Sequence, residues 1–254
     1  TGSRSRVPTR DIHTRLIGVE SSYASTLVLG MSVLEMDSNP KKAKTRILQL
    51  ARGAVERDGA EVIVLERDEM LAGSTAMSSG FIPAPGSRCQ QASGLKESDS
   101  AEQLVNDILA KSKWLADERL VRLAVETIGP TMDWLEMAHG LEWLLLDDFL
   151  YPGHSRHRMH ATPEKTGAGL MARLGQAVEA AGVPVVTSAH VREIFVDGDV
   201  IRGVSVARPD GAIELIGCEA LILACNGYGG NSELVAEFIP ALASAPYYGH
   251  AGNQ

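Results

Sequence analysis

Residues 59–80 have the sequence GAEVIVLERDEMLAGSTAMSSG. The apolar run 62–65 is mostly β-branched and too short for a helix, which predicts a strand buried on both faces, as in a parallel sheet. Glu66 follows this run, and because a carboxylate is costly to bury, we expect it at the carboxyl edge of the sheet. Open α/β sheets bind ligands at that edge, where an acid can accept both hydrogen bonds from a ribose diol.

The loop after Glu66 is rich in Gly, Ser and Thr, and it offers hydroxyls and free backbone N–H groups to a large ligand. A second motif, LACNGYGGN at residues 223–231, ends another predicted buried strand, residues 220–225. Asn226 and Gly227 begin a tight turn there that suits close backbone approach. A plain strand-to-helix turn is the alternative interpretation of this second motif.

These two motifs, residues 66–80 and 223–231, together resemble the FAD-binding domain of the fumarate reductase/succinate dehydrogenase flavoprotein family, which includes ketosteroid dehydrogenases. The resemblance covers about residues 59–254. It implies an α/β fold, namely a Rossmann-like parallel sheet with an antiparallel β-meander and an inserted helical subdomain. It also implies FAD as cofactor and hydride transfer between flavin N5 and an activated C=C bond or its saturated counterpart.

The resemblance also implies which residues bind the cofactor: Glu66, Arg67, Ser74, Thr75, Ser79, Gly80, Val191, Asn226 and Gly227. Glu66, with Arg67 beside it, would hold the adenosine ribose. The hydroxyl pair at 74 and 75 would lie on the pyrophosphate side, and positions 79 and 80 at the approach to the isoalloxazine. The backbone at position 191 would meet the adenine, and the 226–227 turn would line the cleft. The alternatives are an ordinary polar loop at 74–79 and a surface salt bridge for Glu66.

The segment before residue 59 departs from that family. A dinucleotide fold carries a Gly-rich phosphate turn about 20 residues before the ribose acid, but the helix predicted over residues 40–57 is entered through MDSNP, which has no glycine. Residues 33–36 with 51–65 instead resemble the later half of the aspartate/glutamate/hydantoin racemase superfamily, whose members use two cysteines as acid and base. No cysteine precedes Cys89, which argues against racemase chemistry.

The expected domain organisation follows from both resemblances. Residues 1–58 would form a racemase-like α/β segment that replaces the phosphate-binding turn, and residues 59–254 a partial FAD-binding domain without the substrate-clamping domain. The helical insertion is expected at about 97–150 and the β-meander at about 191–217. We therefore expect a truncated or chimeric oxidoreductase that retains little FAD by itself, with a non-catalytic fusion fragment or, less favoured, a racemase as alternatives. We can name no catalytic residue.

Three amphipathic helices are predicted for the insertion, over residues 100–110, 117–127 and 131–138, with a break at Gly129-Pro130. Trp114, Trp134 and Trp143 are expected to pack this helical layer. A further helix is predicted from Thr166 through residue 181. Three strand-like segments, 191–196, 201–207 and 212–216, are separated by turn signals and predict the meander.

A loop with an unusual composition covers residues 151–166. Five basic or titratable side chains lie within seven positions of it: His154, Arg156, His157, Arg158 and His160. In an acidic protein such a cluster could bind a carboxylate substrate or an anionic flavin. The alternative is a loop that is neutralised locally. No carboxylate or Cys joins the histidines at metal-ligand spacing, so no metal site is predicted.

Composition limits the partners. The 254 residues carry a net charge of −8, which argues against nucleic acid or an anionic membrane as a partner, since both attract a basic surface. No apolar run reaches membrane-span length. Three cysteines at no metal-ligand spacing predict reduced thiols and a cytoplasmic protein. The expected partner is a small-molecule substrate, a carboxylate or an enone, and the sequence does not specify an oligomeric state.

Overall fold

The computed structural model of the protein describes residues 26–30, 61–96 and 98–253. Most of the racemase-like segment, the helix predicted over residues 40–57 and the missing glycine turn lie outside these residues. In chain order the described elements are β1 (Thr26–Gly30), β2 (Glu61–Leu65), α1 (Gly73–Met77), β3 (Ile82–Pro83), α2 (Arg88–Ala92), α3 (Ala101–Lys111), α4 (Glu118–His139), β4 (Leu144–Leu146), β5 (Met159–Ala161), α5 (Gly167–Ala180), β6 (Val185–Val186), β7 (His190–Asp197), β8 (Val200–Ala207), β9 (Ile213–Gly217), β10 (Ala220–Leu223) and α6 (Ser232–Phe238).

A parallel sheet of four described strands forms the centre of the fold, in the order β10-β1-β2-β6. Gly30, at the end of β1, is aligned with Leu65 of β2 on one side and with Leu223 of β10 on the other. The residues that follow β2 and β10 therefore emerge at the same edge of the sheet, on either side of β1. The strand predicted over residues 220–225 is shorter than expected, and it is partly exposed because β10 lies at the outside of the described sheet.

The predicted meander is confirmed as an antiparallel sheet in the order β7-β8-β9. Its middle strand is the most deeply buried, with Val204 and Val206 inaccessible to solvent. These two valines share a core with Leu65 of β2 and with Ala189, which precedes β7. The meander is thus packed directly against the strand that ends in Glu66.

A second antiparallel sheet, β3-β5-β4, was not predicted because its strands have only two or three residues. It joins α4 and α5 in one core, in which Met132, Trp143 and Leu170 are buried. Helices α3 and α4 form a separate cluster around Leu104 and Val125. Both helices lie within the range expected for the helical insertion. Among the described helices, none has the length and apolar character needed to cross a membrane.

The predicted break at Gly129-Pro130 is wrong, because α4 continues through it from residue 118 to residue 139. Pro130 lacks an N–H and is exposed, so one backbone hydrogen bond is lost while the buried face of the helix stays intact. Gly129 is needed there for a different reason. A Cβ at this position would lie 2.8 Å from the carbonyl oxygen of Pro85. Burial of Val125, Met132 and Leu135 on one face outweighs the poor helix propensity of the pair.

The expectation for the three tryptophans is correct for two of them. Trp143 is buried and its indole N–H donates to the carbonyl oxygen of Met132, while Trp134 packs against the same core. Trp114 is 67% exposed and does not pack the helical layer. It lies in the short connection between α3 and α4, where its backbone has a left-handed φ of 62°.

Candidate cofactor site

Two of the residues predicted to bind the cofactor, Glu66 and Asn226, stand at the edge where β2 and β10 end. Glu66 follows β2 directly, and Asn226 lies three residues after the end of β10. Because β1 separates these strands, the two side chains stand on opposite sides of its C-terminal end. In open α/β folds the ligand crevice is found at such a position.

Glu66 is half-buried and its backbone is held at both ends. Its N–H donates to the carbonyl oxygen of Val186 (2.9 Å), and its own carbonyl oxygen accepts from the N–H of Ala189 (2.8 Å). Its carboxylate Oε1 accepts from the N–H of Asp68 at 2.9 Å. Within the described part of the chain, Oε2 accepts no hydrogen bond. Among these residues, the side chain is therefore held through one oxygen, and the other has no partner.

Arg67 lies beside Glu66 but its charge is already paired. Its Nε and Nη2 donate to Oδ1 of Asp68 at 2.9 and 2.7 Å. The other oxygen of Asp68 lies 3.6 Å from Nε2 of His250, near the C-terminal end of the described residues. A Cβ at Gly252 would lie 2.8 Å from Nη2 of Arg67. The predicted ribose loop is therefore in contact with the segment 247–253.

Val191, the predicted adenine contact, lies close to Glu66. It is the second residue of β7, and Ala189, two residues earlier, donates to the carbonyl oxygen of Glu66. The pKa of the neighbouring His190 is also affected by charges in the loop after Glu66. Burial lowers the pKa of His190, the positive charges of Arg192 and Arg67 lower it further, and Asp68 opposes them. Position 191 is thus two residues away from a residue that is hydrogen-bonded to Glu66.

The hydroxyl-rich loop divides into two parts with different surroundings. Ser74, in α1, faces Asn226, whose Nδ2 donates to the Ser74 hydroxyl at 3.1 Å. Thr75 and Ser79 are exposed. Gly80 is buried with a φ of +67°, and a Cβ there would lie 2.8 Å from the Thr166 carbonyl oxygen at the start of α5. Of these four predicted residues, the structure brings only Ser74 into contact with the turn after β10.

The glycines of the turn after β10 differ in how much space surrounds them. Asn226 has a left-handed φ of 51°, and no atom of the described residues lies within 4 Å of a Cβ built at Gly227. At Gly229 a Cβ would meet the ring of Tyr247 at 2.8 Å, and at Gly230 it would meet the carbonyl oxygen of Asn253 at 2.7 Å. The two crowded glycines thus accommodate residues 247–253, whereas Gly227 has no such neighbour among the described residues.

Sequence reasoning missed the contribution of residues 247–253. Asn253 donates through Nδ2 to the Ser74 hydroxyl at 3.1 Å, and its Oδ1 accepts from Asn226 at 2.8 Å. Its carbonyl oxygen accepts from the N–H of Gly230 at 2.6 Å. The only signal in the sequence was a short run of glycines with a His and an Asn, which resembles a simple loop.

In the loop 151–166, the structure favours local neutralisation over an anion site. Arg158 is inaccessible to solvent and donates to both carboxylate oxygens of Asp99 at 2.8 Å and to Asp107 at 2.6 Å. Burial acts to raise the pKa of Asp107, but hydrogen bonds from Ser155 and Arg158 outweigh it and hold that pKa below its ordinary value. The guanidinium of Arg158 is therefore not available to a carboxylate substrate.

His160, a buried histidine in the same loop, has both ring nitrogens within hydrogen-bonding distance of other groups. Its Nε2 lies 2.8 Å from the hydroxyl of Ser87, and its Nδ1 lies 2.9 Å from the carbonyl oxygen of Arg158. A carbonyl can only accept, so Nδ1 carries the hydrogen and Nε2 accepts from Ser87. Burial lowers the pKa of His160 and keeps it neutral. In residues 61–96 and 98–253, no group of His, Cys, Asp and Glu is placed to hold a metal ion.

A parallel sheet with an acid at the tip of one strand, and a polar cluster across the end of its neighbour, defines a nucleotide-binding α/β domain. The sequence profile of the family described as FAD binding domain matches residues 51–253. The chain belongs to this family, and FAD is the cofactor of the family. The resemblance seen at residues 66–80 and 223–231 is confirmed to that extent.

Curated relatives with similar sequences include a fumarate reductase and a urocanate reductase. The probable fumarate reductase Ifc3 of Shewanella frigidimarina is 26% identical over 194 residues, which are 74% of this chain and 32% of that protein. The urocanate reductase of Eggerthella lenta is 26% identical over 187 residues, which are 72% of this chain and 30% of that protein. The chain thus spans about a third of the length of these relatives.

Solved structures show the same fold. The open conformation of a flavocytochrome c3 fumarate reductase superposes with a TM-score of 0.71 at 23% identity, covering 91% of this chain and 38% of that one. The 3-ketosteroid-Δ4-(5α)-dehydrogenase of Rhodococcus jostii RHA1 gives a TM-score of 0.67 at 19% identity, covering 92% and 53%. The predicted α/β class, with its parallel and antiparallel sheets, is confirmed.

The described residues fit a dinucleotide at this edge. Among the described residues, Glu66 has one carboxylate oxygen without a partner, and Gly227, across the end of β1, has no atom near its Cβ position. Ser74 presents a hydroxyl next to Asn226. In a dinucleotide site, an acid is expected to contact the ribose and a hydroxyl the phosphate. A glycine without close neighbours lets the cofactor approach the backbone.

Proposed function

We propose that the chain is the cofactor-holding part of an FAD-dependent oxidoreductase that transfers a hydride between flavin N5 and an activated C=C bond or its saturated counterpart. One observation carries this proposal. In a chain of the FAD binding domain family, Glu66 and the Ser74–Asn226 pair stand on opposite sides of the end of β1. FAD supplies the redox chemistry of such enzymes, and the protein holds and orients it.

The roles of individual residues belong to this proposal. Glu66 and Arg67 would lie at the adenosine ribose, and Val191 would meet the adenine through its backbone. Two further groups of predicted residues would follow the cofactor towards its flavin end: Ser74, Thr75, Ser79 and Gly80 on the loop, and Asn226 and Gly227 on the turn. The contact between Ala189 and Glu66 supports the first group, and the Ser74–Asn226 hydrogen bond supports the second. We also propose the division into residues 1–58 and 59–254, with a helical insertion at about 97–150.

The substrate would be a small molecule with an activated C=C bond, either a carboxylate or an enone. The names of two relatives, a fumarate reductase and a urocanate reductase, support a carboxylate. Because Arg158 is consumed by Asp99 and Asp107, this chain would not grip a carboxylate through that residue. The three cysteines are free thiols, which supports a cytoplasmic location. We assign no catalytic residue in the chain.

A titration of the purified chain with FAD tests the proposal. We expect FAD to raise the melting temperature in a saturable manner, because a ligand that binds only the folded state stabilises it. We expect the bound flavin to be lost on gel filtration, since weak retention was predicted from the sequence. A melting temperature unchanged at saturating FAD would leave the non-catalytic fusion fragment as the better description. Reduction of fumarate, urocanate and an enone by the FAD-loaded chain, with an artificial electron donor, then tests the reaction.

A further inference from the structure

The hydroxyl of Ser74 is the meeting point of three distant segments. It accepts hydrogen bonds from Nδ2 of Asn226 and from Nδ2 of Asn253, each at 3.1 Å. Asn226 follows β10 and Asn253 lies near the end of the described chain. Ser74 itself belongs to the loop after Glu66 and is partly buried. Two amide N–H groups therefore donate to the same serine oxygen.

The hydrogens of the two amides are fully accounted for. Nδ2 of Asn226 donates one to Ser74 and the other to Oδ1 of Asn253. Nδ2 of Asn253 donates one to Ser74 and the other to the hydroxyl of Tyr247, which in turn donates to the carbonyl oxygen of His250. With the two amides in this orientation, each of their hydrogens and the hydroxyl hydrogen of Tyr247 has one acceptor.

These bonds leave the hydrogen of the Ser74 hydroxyl without a use in the cluster of Ser74, Asn226 and Asn253. A serine oxygen has two acceptor lone pairs and one O–H donor. Both lone pairs are occupied by the amides, and in residues 61–96 and 98–253 no acceptor receives its hydrogen. Ser74 can therefore act towards a ligand only as a donor. Its best partner is a group that only accepts, such as a phosphate oxygen.

We propose that Asn226 and Asn253 are positioning residues, which hold Ser74 as a dedicated hydrogen-bond donor to a phosphate oxygen of the bound dinucleotide. This inference rests on the proposed function and adds two residues that act through Ser74. It also gives the segment 247–253 a role. That segment contacts Ser74 through Asn253 and the predicted ribose loop through His250 and Gly252, so it fastens both parts of the cofactor loop.

The variant Asn253→Asp gives the sharpest test, because it preserves shape and reverses hydrogen-bonding polarity. An aspartate cannot donate to Ser74, and the freed Ser74 hydroxyl would donate to the new carboxylate instead of to a ligand. We expect binding of ADP, measured by calorimetry, to weaken roughly tenfold or more in both Asn253→Asp and Ser74→Ala. Adenosine, which has no phosphate, should bind all these proteins with the affinity of the wild type.

A double variant separates positioning from a general structural role. If Asn253 acts through Ser74, then adding Ser74→Ala to Asn253→Asp should cause no further loss of ADP affinity, whereas independent contributions would multiply. Two control variants remove the same chemical group at an exposed position elsewhere. Ser244→Ala removes a hydroxyl, and Asn106→Ala removes an amide. Both should bind ADP as the wild type does. Melting temperatures of all variants show whether each is folded.

The outcomes for the two proposals are distinguishable. FAD binding by the wild type, together with unchanged ADP affinity in folded Ser74→Ala or Asn253→Asp, would overturn the positioning role and leave the proposed function intact. Equal losses for ADP and adenosine would also overturn it, since the phosphate would not be the group contacted. A wild type that binds neither FAD nor ADP would overturn both proposals.

Discussion

At the scale of single residues, Gly167 decides how the cofactor loop sits on the helical layer. It is the first residue of α5, and its N–H donates to the carbonyl oxygen of Ser78 at 2.8 Å. A Cβ at this position would lie 1.9 Å from the carbonyl oxygen of Thr75. The loop that carries Ser74 therefore rests on the backbone of α5 with no space for a side chain.

We predict that Gly167→Ala destabilises the protein by at least about 1–3 kcal/mol, because the new methyl group collides with backbone atoms that cannot rotate away. Gly175→Ala in the same helix is the matched control. Among the described residues its Cβ would meet only Leu71 at 3.7 Å, an ordinary contact, so the change should stabilise by roughly 0.5–1 kcal/mol. Urea unfolding of both variants measures the difference, and equal effects would contradict the close approach.

Arg158 gives a second prediction at the residue scale. It is 0% exposed, and its partner Asp99 is 2% exposed. Truncation to Arg158→Ala leaves Asp99 and Asp107 without their cation, and breaking a buried pair in this way costs about 3–5 kcal/mol. The exposed pair of Arg122 with Glu102 provides the control, since water screens this pair and Arg122→Ala should cost far less than Arg158→Ala. Similar losses in both variants, measured by urea unfolding, would show that burial is not the cause.

At the scale of elements, α4 shows how packing overrides a local signal. The Gly129-Pro130 pair is a helix breaker in isolation, yet the helix is continuous from Asp117 at its N-cap to Gly140 at its C-cap. The hydroxyl of Thr131 donates to the carbonyl oxygen of Thr127, one turn back. The helix therefore tolerates Pro130 on its exposed side because its other side is buried.

We predict that Pro130→Ala stabilises the protein by on the order of 2 kcal/mol. Proline costs about 3 kcal/mol in a helix interior, and part of the gain is lost because the unfolded chain becomes more flexible. The neighbouring change Gly129→Ala should have the opposite sign, since its Cβ would meet the Pro85 carbonyl oxygen at 2.8 Å. Thermal unfolding followed by circular dichroism distinguishes the two. A loss of stability in Pro130→Ala would mean that α4 requires a kink there.

At the scale of the whole molecule, three histidines share one direction of pKa shift. Burial lowers the pKa of His154, His160 and His190 below 6.5. The unfolded chain therefore binds protons at these positions at a higher pH than the folded protein does. The stability that they contribute is fully present above the unfolded pKa and is lost as the pH falls from about 6.5 towards the folded pKa values.

For this reason we expect the urea concentration at the midpoint of unfolding to decrease when the pH is lowered from 7.5 to 5.5. Each histidine whose protonation the fold prevents contributes up to about 1.4 kcal/mol per pH unit within that window. His160→Asn keeps an N–H near the carbonyl oxygen of Arg158 but does not titrate, so the variant should show a smaller decline. An unchanged decline would exclude His160 as a contributor, whatever the absolute stability of the variant.

Several features of the protein follow from short segments of sequence alone. The apolar run 62–65 determined β2, the charge of Glu66 placed it at the carboxyl edge, and the turn residues between strands determined the meander. Side-chain alternation, burial cost and turn geometry are properties of neighbouring residues, so local sequence suffices for them. The FAD binding domain family was recognisable for the same reason, from two compact motifs.

Other features were decided only when the chain folded. The hydrogen bonds from Asn226 and Asn253 to Ser74 join residues 152 and 179 positions apart, and the pairing of Arg158 with Asp99 joins residues 59 apart. The continuity of α4 through Pro130 depends on the core that its buried face forms with other elements. Such contacts carry no local pattern, because their energy comes from groups that only the tertiary structure brings within hydrogen-bonding distance.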